Sequence, residues 1–528
     1  MLDGFRFLPA GRILASAGTD YDATLFNCFV MGPIDDSITG IFEALKESAL
    51  TMQRGGGIGC DFSTLRPAGA TALASGRTAS GPVSFMQLWN AMCATVLSKG
   101  SRRGAMMGVL RCDHPDILEF VDAKRRPGAL TNFNLSVQVT DEFLKAVSEN
   151  RDLALVFPAA APEFEVHSQM RAADLWDRIV GAAYDTAEPG VLFVDRINAQ
   201  NNLYYREHIT ATNPCGEVPL PPFGACNLGS INLAAHVESP YSARAKLDLD
   251  AVGRLARDAV RLLDNVIELS AFPLEAQAAE ARATRRIGLG VTGLADALIM
   301  LGLRYDSDAG RALARTALTC IRDEAYLASI ELSKEKGCFP CFDRDAYLAG
   351  QYVATLPAGT RDGIALHGIR NSHLLAIAPA GSISILANNL SSGIEPVFAP
   401  RMQRVVLDPE RAAVRHEAVD HAYSLWMKSG APAGSLPDAF VSAHELSPDD
   451  HLLMAAALQP LVDNSISKTV NVAATIPRAD FSAIYRRAFD LGLKGCTVFR
   501  SNPVTGEVLS EAPAPGTIHC CVPEREGD

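Results

Sequence analysis

Apolar residues along this chain fall into two rhythms, and their alternation predicts helices and strands in turn. Residues 38–53 carry Ile41, Leu45, Ala49 and Met52 at helical spacing, which predicts an amphipathic helix. Residues 85–97 read the same way, and residues 250–270 set Val252, Leu255, Ala259, Leu262, Leu263 and Val266 on one broad face. A long helix is expected over residues 309–336, stopped by Gly337, and another from about Asp480 to Leu491. Short apolar runs predict strands at Leu25 to Val30, Asn132 to Val137, within the SKTVNVAAT stretch that starts at Ser467, and through Cys496 to Phe499. Residues 70–80, ATALASGRTAS, are small and polar and read as a loop, and residues 145–200 carry no decisive pattern. From Ser501 the chain turns Pro- and Gly-rich, so a folded body over residues 1–503 and a flexible tail over residues 504–528 are expected. The pattern alone supports a mixed α/β class.

Composition narrows the function classes. With 528 residues, 48% of them hydrophobic and 20% charged, the chain has material for a large core. A net charge of −12 argues against general nucleic-acid binding, which favours basic surfaces. No run reaches the ~18 uninterrupted apolar residues of a membrane span. Met1-Leu2-Asp3-Gly4 lacks the basic start and apolar run of a secretory leader. Twelve cysteines without such a leader predict reduced thiols and a cytoplasmic location.

The stretch with most chemistry is Asn213-Pro214-Cys215-Gly216-Glu217. An amide, a thiol and a carboxylate stand at alternate positions. In an extended strand all three would project to one face, with Pro214 and Gly216 turned away. Pro214 and the pair Pro221-Pro222 argue against a helix. Such a trio suits work on a polar substrate, and Cys226 is close enough in sequence to return to the same site. Elsewhere, Gly55 to Gly59 form a glycine loop that allows close backbone approach. Lys99, Arg102 and Arg103 concentrate charge between glycines, and Pro379-Ala380-Gly381-Ser382-Ile383-Ser384 offers hydroxyls and backbone N–H groups suited to phosphate. Asp113-His114-Pro115-Asp116 has no second ligand cluster, and Asp116 is well placed to cap a helix from Ile117, so no metal is expected. Cys338-Phe339-Pro340-Cys341 is a lone C-x-x-C, read as packing or surface thiols. Gly288-Leu289-Gly290-Val291-Thr292-Gly293 fits G-x-G-x-x-G, but Glu280 to Arg286 before it is charged and Ala-rich, so a dinucleotide fingerprint would lack its strand.

The run from Asn213 to Leu233, NPCGEVPLPPFGACNLGSINL, resembles the active-site segment of ribonucleotide reductases, most of all the adenosylcobalamin-dependent class II enzymes. The resemblance extends over about residues 5–500, through LFNCFV around Cys28, RGGGIG and FSTLRPAGA from Arg54, SRRGAMMGVLRCDHPDI from Ser101, RRIGLGVTGLADAL from Arg285, read as a helical segment, and PAGSIS with Ser391 to Pro396 downstream. It implies a ten-stranded α/β barrel of two antiparallel-packed halves of parallel strands, with helices outside. It implies adenosylcobalamin as cofactor, a ribonucleotide (a diphosphate in the first instance) as substrate, and a 2′-deoxyribonucleotide as product. Cys215 would carry the thiyl, Glu217 would be the general base, Asn213 would hold the ribose hydroxyls, and Cys28 with Cys226 would be the redox pair. Asn27, Gly57, Pro214, Gly216 and the loop Ala380, Gly381, Ser382, Ile383, Ser384 would bind substrate. Asp36, Ser37, Lys99, Arg102 and Arg103 would bind a deoxynucleotide effector at a homodimer interface.

A thioredoxin-like reductant would restore the thiols, through Cys520 and Cys521 or a separate chain carrying a missing C-terminal part. Val498-Phe499 stand where class I enzymes carry adjacent tyrosines for radical transfer, and Tyr204-Tyr205 lie elsewhere. With 27 residues before Cys28, no ATP-binding regulatory domain is expected in this stretch, and the long cysteine-bearing C-terminal extension of many class II enzymes is expected to be missing or to lie in another polypeptide. Three alternatives stay open at this point: a class I-type large subunit, a non-catalytic nucleotide-binding paralogue, and a dinucleotide-dependent oxidoreductase.

Overall fold

Strands Cys28–Val30 (β1), Gly57–Asp61 (β2), Met106–Arg111 (β3), Phe133–Val139 (β4) and Gly190–Phe193 (β5) pair in parallel in chain order. These pairings come from a computed structural model, which describes residues 1–20, 23–72, 77–96, 104–126, 128–158, 165–407, 413–432, 434–500 and 509–511. A second parallel set follows: Ala225–Asn232 (β6) beside Ile287–Thr292 (β7), and Thr469–Val472 (β8) beside Gly495–Arg500 (β9). Residues 374–377 fill the place between them. Leu375 bridges Leu289 of β7, and Ile377 bridges Ile466, just before β8, both in parallel. The backbone supports those bridges: the Leu289 N–H donates to the Leu374 carbonyl at 2.8 Å and the Ile377 N–H to Ser465 at 3.1 Å.

The two halves meet antiparallel at both seams, β6 on β1 and β5 on β9. The ring therefore closes with ten strand positions, five parallel in each half. This is the expected ten-stranded barrel. One further strand, Phe7–Pro9, joins the sheet beside Gly229–Ile231 of β6. Closure leaves β6 buried at every position with no in–out alternation, whereas β8 and β9 are only partly covered.

Two close approaches need glycine. A Cβ on Gly59 of β2 would fall 1.9 Å from the Thr212 carbonyl oxygen, and one on Gly290 of β7 would fall 2.4 Å from that of Ala376. The G-x-G-x-x-G run is thus a barrel strand followed by a helix, Leu294–Met300. It is neither the helical segment expected for it nor a dinucleotide loop.

The expected outer helices form over Ile38–Gln53, Pro82–Thr95, Leu249–Leu269, Asp308–Lys336 and Arg478–Asp490. Side chains of Ser37, Asp248 and Ser307 cap three of them by accepting N–H bonds. A helix does start at Ile117, but Asp116 makes no cap bond; its carboxylate accepts from the Ala68 N–H at 2.8 Å instead. His114 is spent on backbone: Nε2 bonds the Leu65 carbonyl at 2.9 Å, and Nδ1 accepts from the Asp116 N–H at 3.0 Å. Residues 145–200 contain a hairpin, Asp152–Phe157 with Glu165–Arg171, and the helix Ala172–Thr186. Among the described residues no helix is long and apolar enough to cross a membrane.

Apolar packing divides into two clusters. The larger lies between the barrel and its helices. The smaller lines the barrel interior with Cys28, Val30, Met107, Val109, Leu192, Cys226 and Leu228 from the strands. Ile209, Ala211, Val218 and Leu220 of one segment threaded through the barrel also belong to it, with Ala10, Ile197, Ala376 and Ala378.

Candidate active site

That segment is a hairpin. Ala211–Thr212 pairs antiparallel with Pro219–Leu220, so Asn213 to Glu217 make its turn and are not the extended strand expected from their alternation. Gly216 turns the chain with φ of 84°. The Gly216 N–H donates to the Asn213 carbonyl at 3.2 Å, and the Val218 N–H donates to the Asn213 side-chain oxygen at 3.0 Å.

The surrounding strands hold this hairpin. Thr212 lies against Gly59, and Pro214 against Gly57, whose Cβ would sit 3.1 Å from the proline ring. The tip therefore advances toward the N-terminal end of β2. Asn134 of β4 donates to the Pro214 carbonyl at 2.9 Å, and Gln138 of the same strand donates to Thr210. Arg286 donates to the Pro219 carbonyl at 3.0 Å, and the Ser465 N–H to that of Glu217 at 2.9 Å.

At the tip, Asn213 and Glu217 converge on Cys28. The Asn213 amide donates to the Cys28 sulfur at 3.2 Å, and the Cys28 thiol donates to Glu217 Oε1 at 3.6 Å. Cys226 is the cross-strand partner of Cys28 in the seam between β6 and β1. Direct antiparallel partners have Cα atoms about 4.5–5.5 Å apart, inside the range a disulfide spans. Both thiols are free and buried, whereas Cys215 is half-buried. No atom lies within 4 Å of where a Gly216 Cβ would be, so the tip borders open space.

Burial raises the Glu217 carboxyl above its usual range, with the Asn213 side chain offsetting part of the shift, and no cation is among the causes. Its Oε2 is buried with no hydrogen-bond partner. Burial also pushes the Cys28 thiol well up, and the neighbouring Glu217, Cys226 and Cys215 add to this. Cys226 is pushed up by burial as well, but Arg286 pulls it back.

Asn27 is buried beside Cys28, and its carbonyl accepts the Gly57 N–H at 2.8 Å. The loop Ala380 to Ser384 follows directly from residues 374–377. It opens the short helix Gly381–Leu386, whose first-turn amides have no intrahelical acceptor. The Ala380 N–H donates to the Ser392 hydroxyl at 2.8 Å, and Ser384 shares a hydrogen bond with Thr292, the last residue of β7, at 3.0 Å. Ser382 is exposed. Strand directions put this loop at the same end of the barrel as Asn27, Gly57 and the hairpin tip.

Other expected positions fall elsewhere. Asp36 pairs with Arg66 at 2.7 Å, and Ser37 caps its helix; the hairpin touches neither in any described contact. Lys99, Arg102 and Arg103 lie outside the described residues, as do Cys520 and Cys521. Val498 is buried in β9. Tyr204 and Tyr205 pack on each other at 5.7 Å and donate to the carbonyls of Ala346 and Cys341. Sequence reasoning missed Asn134, Gln138, Glu207 and Arg286. The only signal for the first two is the strict apolar–polar alternation of Phe133 to Val139, which sets Asn134, Ser136 and Gln138 on one face.

A family model described as "Ribonucleotide reductase, barrel domain" matches residues 26–499. The chain belongs to the ribonucleotide reductase family. Among curated reductases, one from Mycobacterium tuberculosis (strain CDC 1551 / Oshkosh), named vitamin B12-dependent ribonucleoside-diphosphate reductase, is 40% identical over 529 residues, covering 97% of this chain and 72% of its own. A reductase of the same name from Thermoplasma acidophilum is 38% identical over 531 residues, covering 97% of this chain and 66% of its own. The vitamin B12-dependent ribonucleotide reductase of Streptomyces avermitilis is 28% identical over 566 residues, covering 94% and 58%.

Proposed function

We propose that this chain reduces ribonucleoside diphosphates to 2′-deoxyribonucleotides by thiyl chemistry at Cys215, with adenosylcobalamin as its cofactor. The observation that carries the reading is the meeting of Asn213 and Glu217 at Cys28, itself the cross-strand partner of Cys226. One thiol and one uncompensated carboxyl at the tip of a buried hairpin, beside two thiols on the barrel strands, are what removal of a 2′-hydroxyl needs.

The tip also fits the cofactor. Cys215 is the one half-open thiol of the three, and open space borders Gly216 beside it. The names of the Mycobacterium tuberculosis and Thermoplasma relatives agree. When bound, adenosylcobalamin supplies a carbon-centred radical able to take hydrogen from a thiol. The chain's residues do the rest. Cys215, as thiyl, takes the ribose 3′-hydrogen and gives it back to the 3′-carbon at the end of the turnover, which regenerates the thiyl. Glu217 accepts the 3′-hydroxyl proton, a task suited to a carboxyl whose proton affinity burial raises. Asn213 orients the hydroxyls. Cys28 and Cys226 supply two electrons and two protons, the 2′-oxygen leaves as water, and the pair closes to a disulfide. The barrel excludes bulk water from these steps.

Asn27, Gly57, Pro214 and Gly216 would line the ribose site, and Ala380 to Ser384 would take the phosphates. Ile38 and Phe42 are exposed on the helix that Ser37 caps, which supports a homodimer there with a deoxynucleotide effector at Asp36, Ser37, Lys99, Arg102 and Arg103. A thioredoxin-like protein in the cytoplasm would return the electrons. The test is deoxycytidine diphosphate formation from cytidine diphosphate and a small dithiol. Product is expected only with adenosylcobalamin. Activity that appears only on adding a metal-bearing radical subunit would overturn the reading.

A further inference from the structure

Arg286 is a fully buried cation with no role in the steps above. In the parallel register Asn227 stands opposite Ile287, so Cys226 and Arg286, one residue earlier on each strand, lie side by side. A side chain at 286 shares the face of position 288, and a Cβ on Gly288 would be 3.3 Å from the Cys226 sulfur. Arg286 therefore points into the barrel beside that thiol. Its guanidinium bonds the Pro219 carbonyl at 3.0 Å and pairs with the buried Glu207 carboxylate, while its Nε is buried without an acceptor. Cys28 has the opposite neighbour, the Glu217 carboxyl at 3.6 Å. One sulfur of the pair faces a cation and the other a carboxyl.

We infer that Arg286 is a positioning residue that fixes the direction in which a Cys28–Cys226 disulfide is reopened. An incoming thiolate attacks the Cys28 sulfur, and Cys226 leaves as the thiolate beside the guanidinium. The inference rests on the redox pair proposed above. In the first step the Cys28–Cys226 bond breaks, a bond forms between Cys28 and the reductant sulfur, and Cys226 keeps the electron pair. The second thiol of an external dithiol then attacks the reductant sulfur. Cys28 is released and takes a proton from the Glu217 carboxyl; protons from the dithiol replace it and neutralise Cys226. The dithiol ends oxidised and the protein pair reduced. Exchange is faster when the leaving thiol is the more acidic one, and Arg286 is the group that separates the two sulfurs.

The test uses full-length enzyme oxidised by one turnover, treated with glutathione, which has no second thiol, then quenched with iodoacetamide and mapped by mass spectrometry. The mixed disulfide is expected on Cys28 in several-fold excess over Cys226, the direction set by the faster departure of the more acidic thiol. Arg286→Lys should keep the bias. Arg286→Gln with Glu207→Gln, which leaves no buried charge unpaired, should shrink the ratio markedly, with Glu217 beside Cys28 keeping a residual bias. An adduct mainly on Cys226, or an unchanged ratio in the double variant, overturns the role of Arg286. Wild-type enzyme with no Cys28–Cys226 disulfide after turnover overturns the redox pair itself, and this inference with it. The wild-type adduct position alone decides the direction if the double variant does not fold.

Discussion

The hairpin through the barrel has a base and a tip, and each holds a fully buried glutamate. Glu207, just before the hairpin, is paired with Arg286 and bonded by the Asn201 amide at 3.1 Å. Glu217, at the tip, faces the Cys28 thiol and the Asn213 amide and has no cation among its neighbours; each glutamate leaves its Oε2 without a hydrogen bond, so the cation is what sets the two apart. A buried carboxylate without a cation is costly unless it is protonated or used. The comparison separates two kinds of polar burial: the base uses charge to hold geometry, and the tip keeps a carboxyl uncompensated so that it can exchange a proton.

Removing Cys215 strikes the tip hardest. Cys215→Ala is expected to give no deoxynucleotide above background while ribonucleotide binding, followed by equilibrium dialysis, stays near wild type. Glu217→Gln should lower kcat by about 10²–10⁴-fold, the range for loss of a general base, without lowering the unfolding midpoint. Glu207→Gln should reverse that pattern. It leaves Arg286 as an uncompensated buried cation, so denaturant unfolding should report a loss of about 3–5 kcal/mol, and the enzyme that remains folded should keep the wild-type pH dependence of kcat.

The same contrast appears in pH-dependent stability. The Glu217 carboxyl is raised above its usual 4.5 by burial, so the folded state holds its proton more tightly than the unfolded chain. The stability it contributes is present below about pH 4.5 and is lost as pH rises through the folded value. Glu217→Gln should therefore gain stability relative to wild type over that window; a constant difference across it would contradict the assignment. The smallest expected effect belongs to Asn134→Ala, which removes one anchor of the tip. It should cost ~1 kcal/mol of stability and a modest part of kcat, both read on one preparation.

Much of this site was legible in the sequence because its residues are close together. Asn213, Cys215 and Glu217 were grouped by alternation, and the grouping survived although the strand did not. Pro214 and a left-handed Gly216 make a turn that serves the same end. The pairing of Cys28 with Cys226 needs a seam between two halves of a barrel, and no local pattern encodes that register. Gly288 to Gly293 misled for a physical reason. A strand buried on both faces has no polar alternation, and its glycines serve backbone contacts with Ala376 that only the folded ring creates. Arg286 and Glu207 were missed because a buried ion pair looks in sequence like any surface charge.

The most direct test of the account is a single turnover without external reductant, starting from fully reduced enzyme with adenosylcobalamin and cytidine diphosphate. One deoxynucleotide per chain is expected, with the loss of two free thiols mapped to Cys28 and Cys226, and neither product nor thiol loss in Cys215→Ala. Product formed by Cys215→Ala, or thiol loss mapped to any other pair of cysteines, would contradict it.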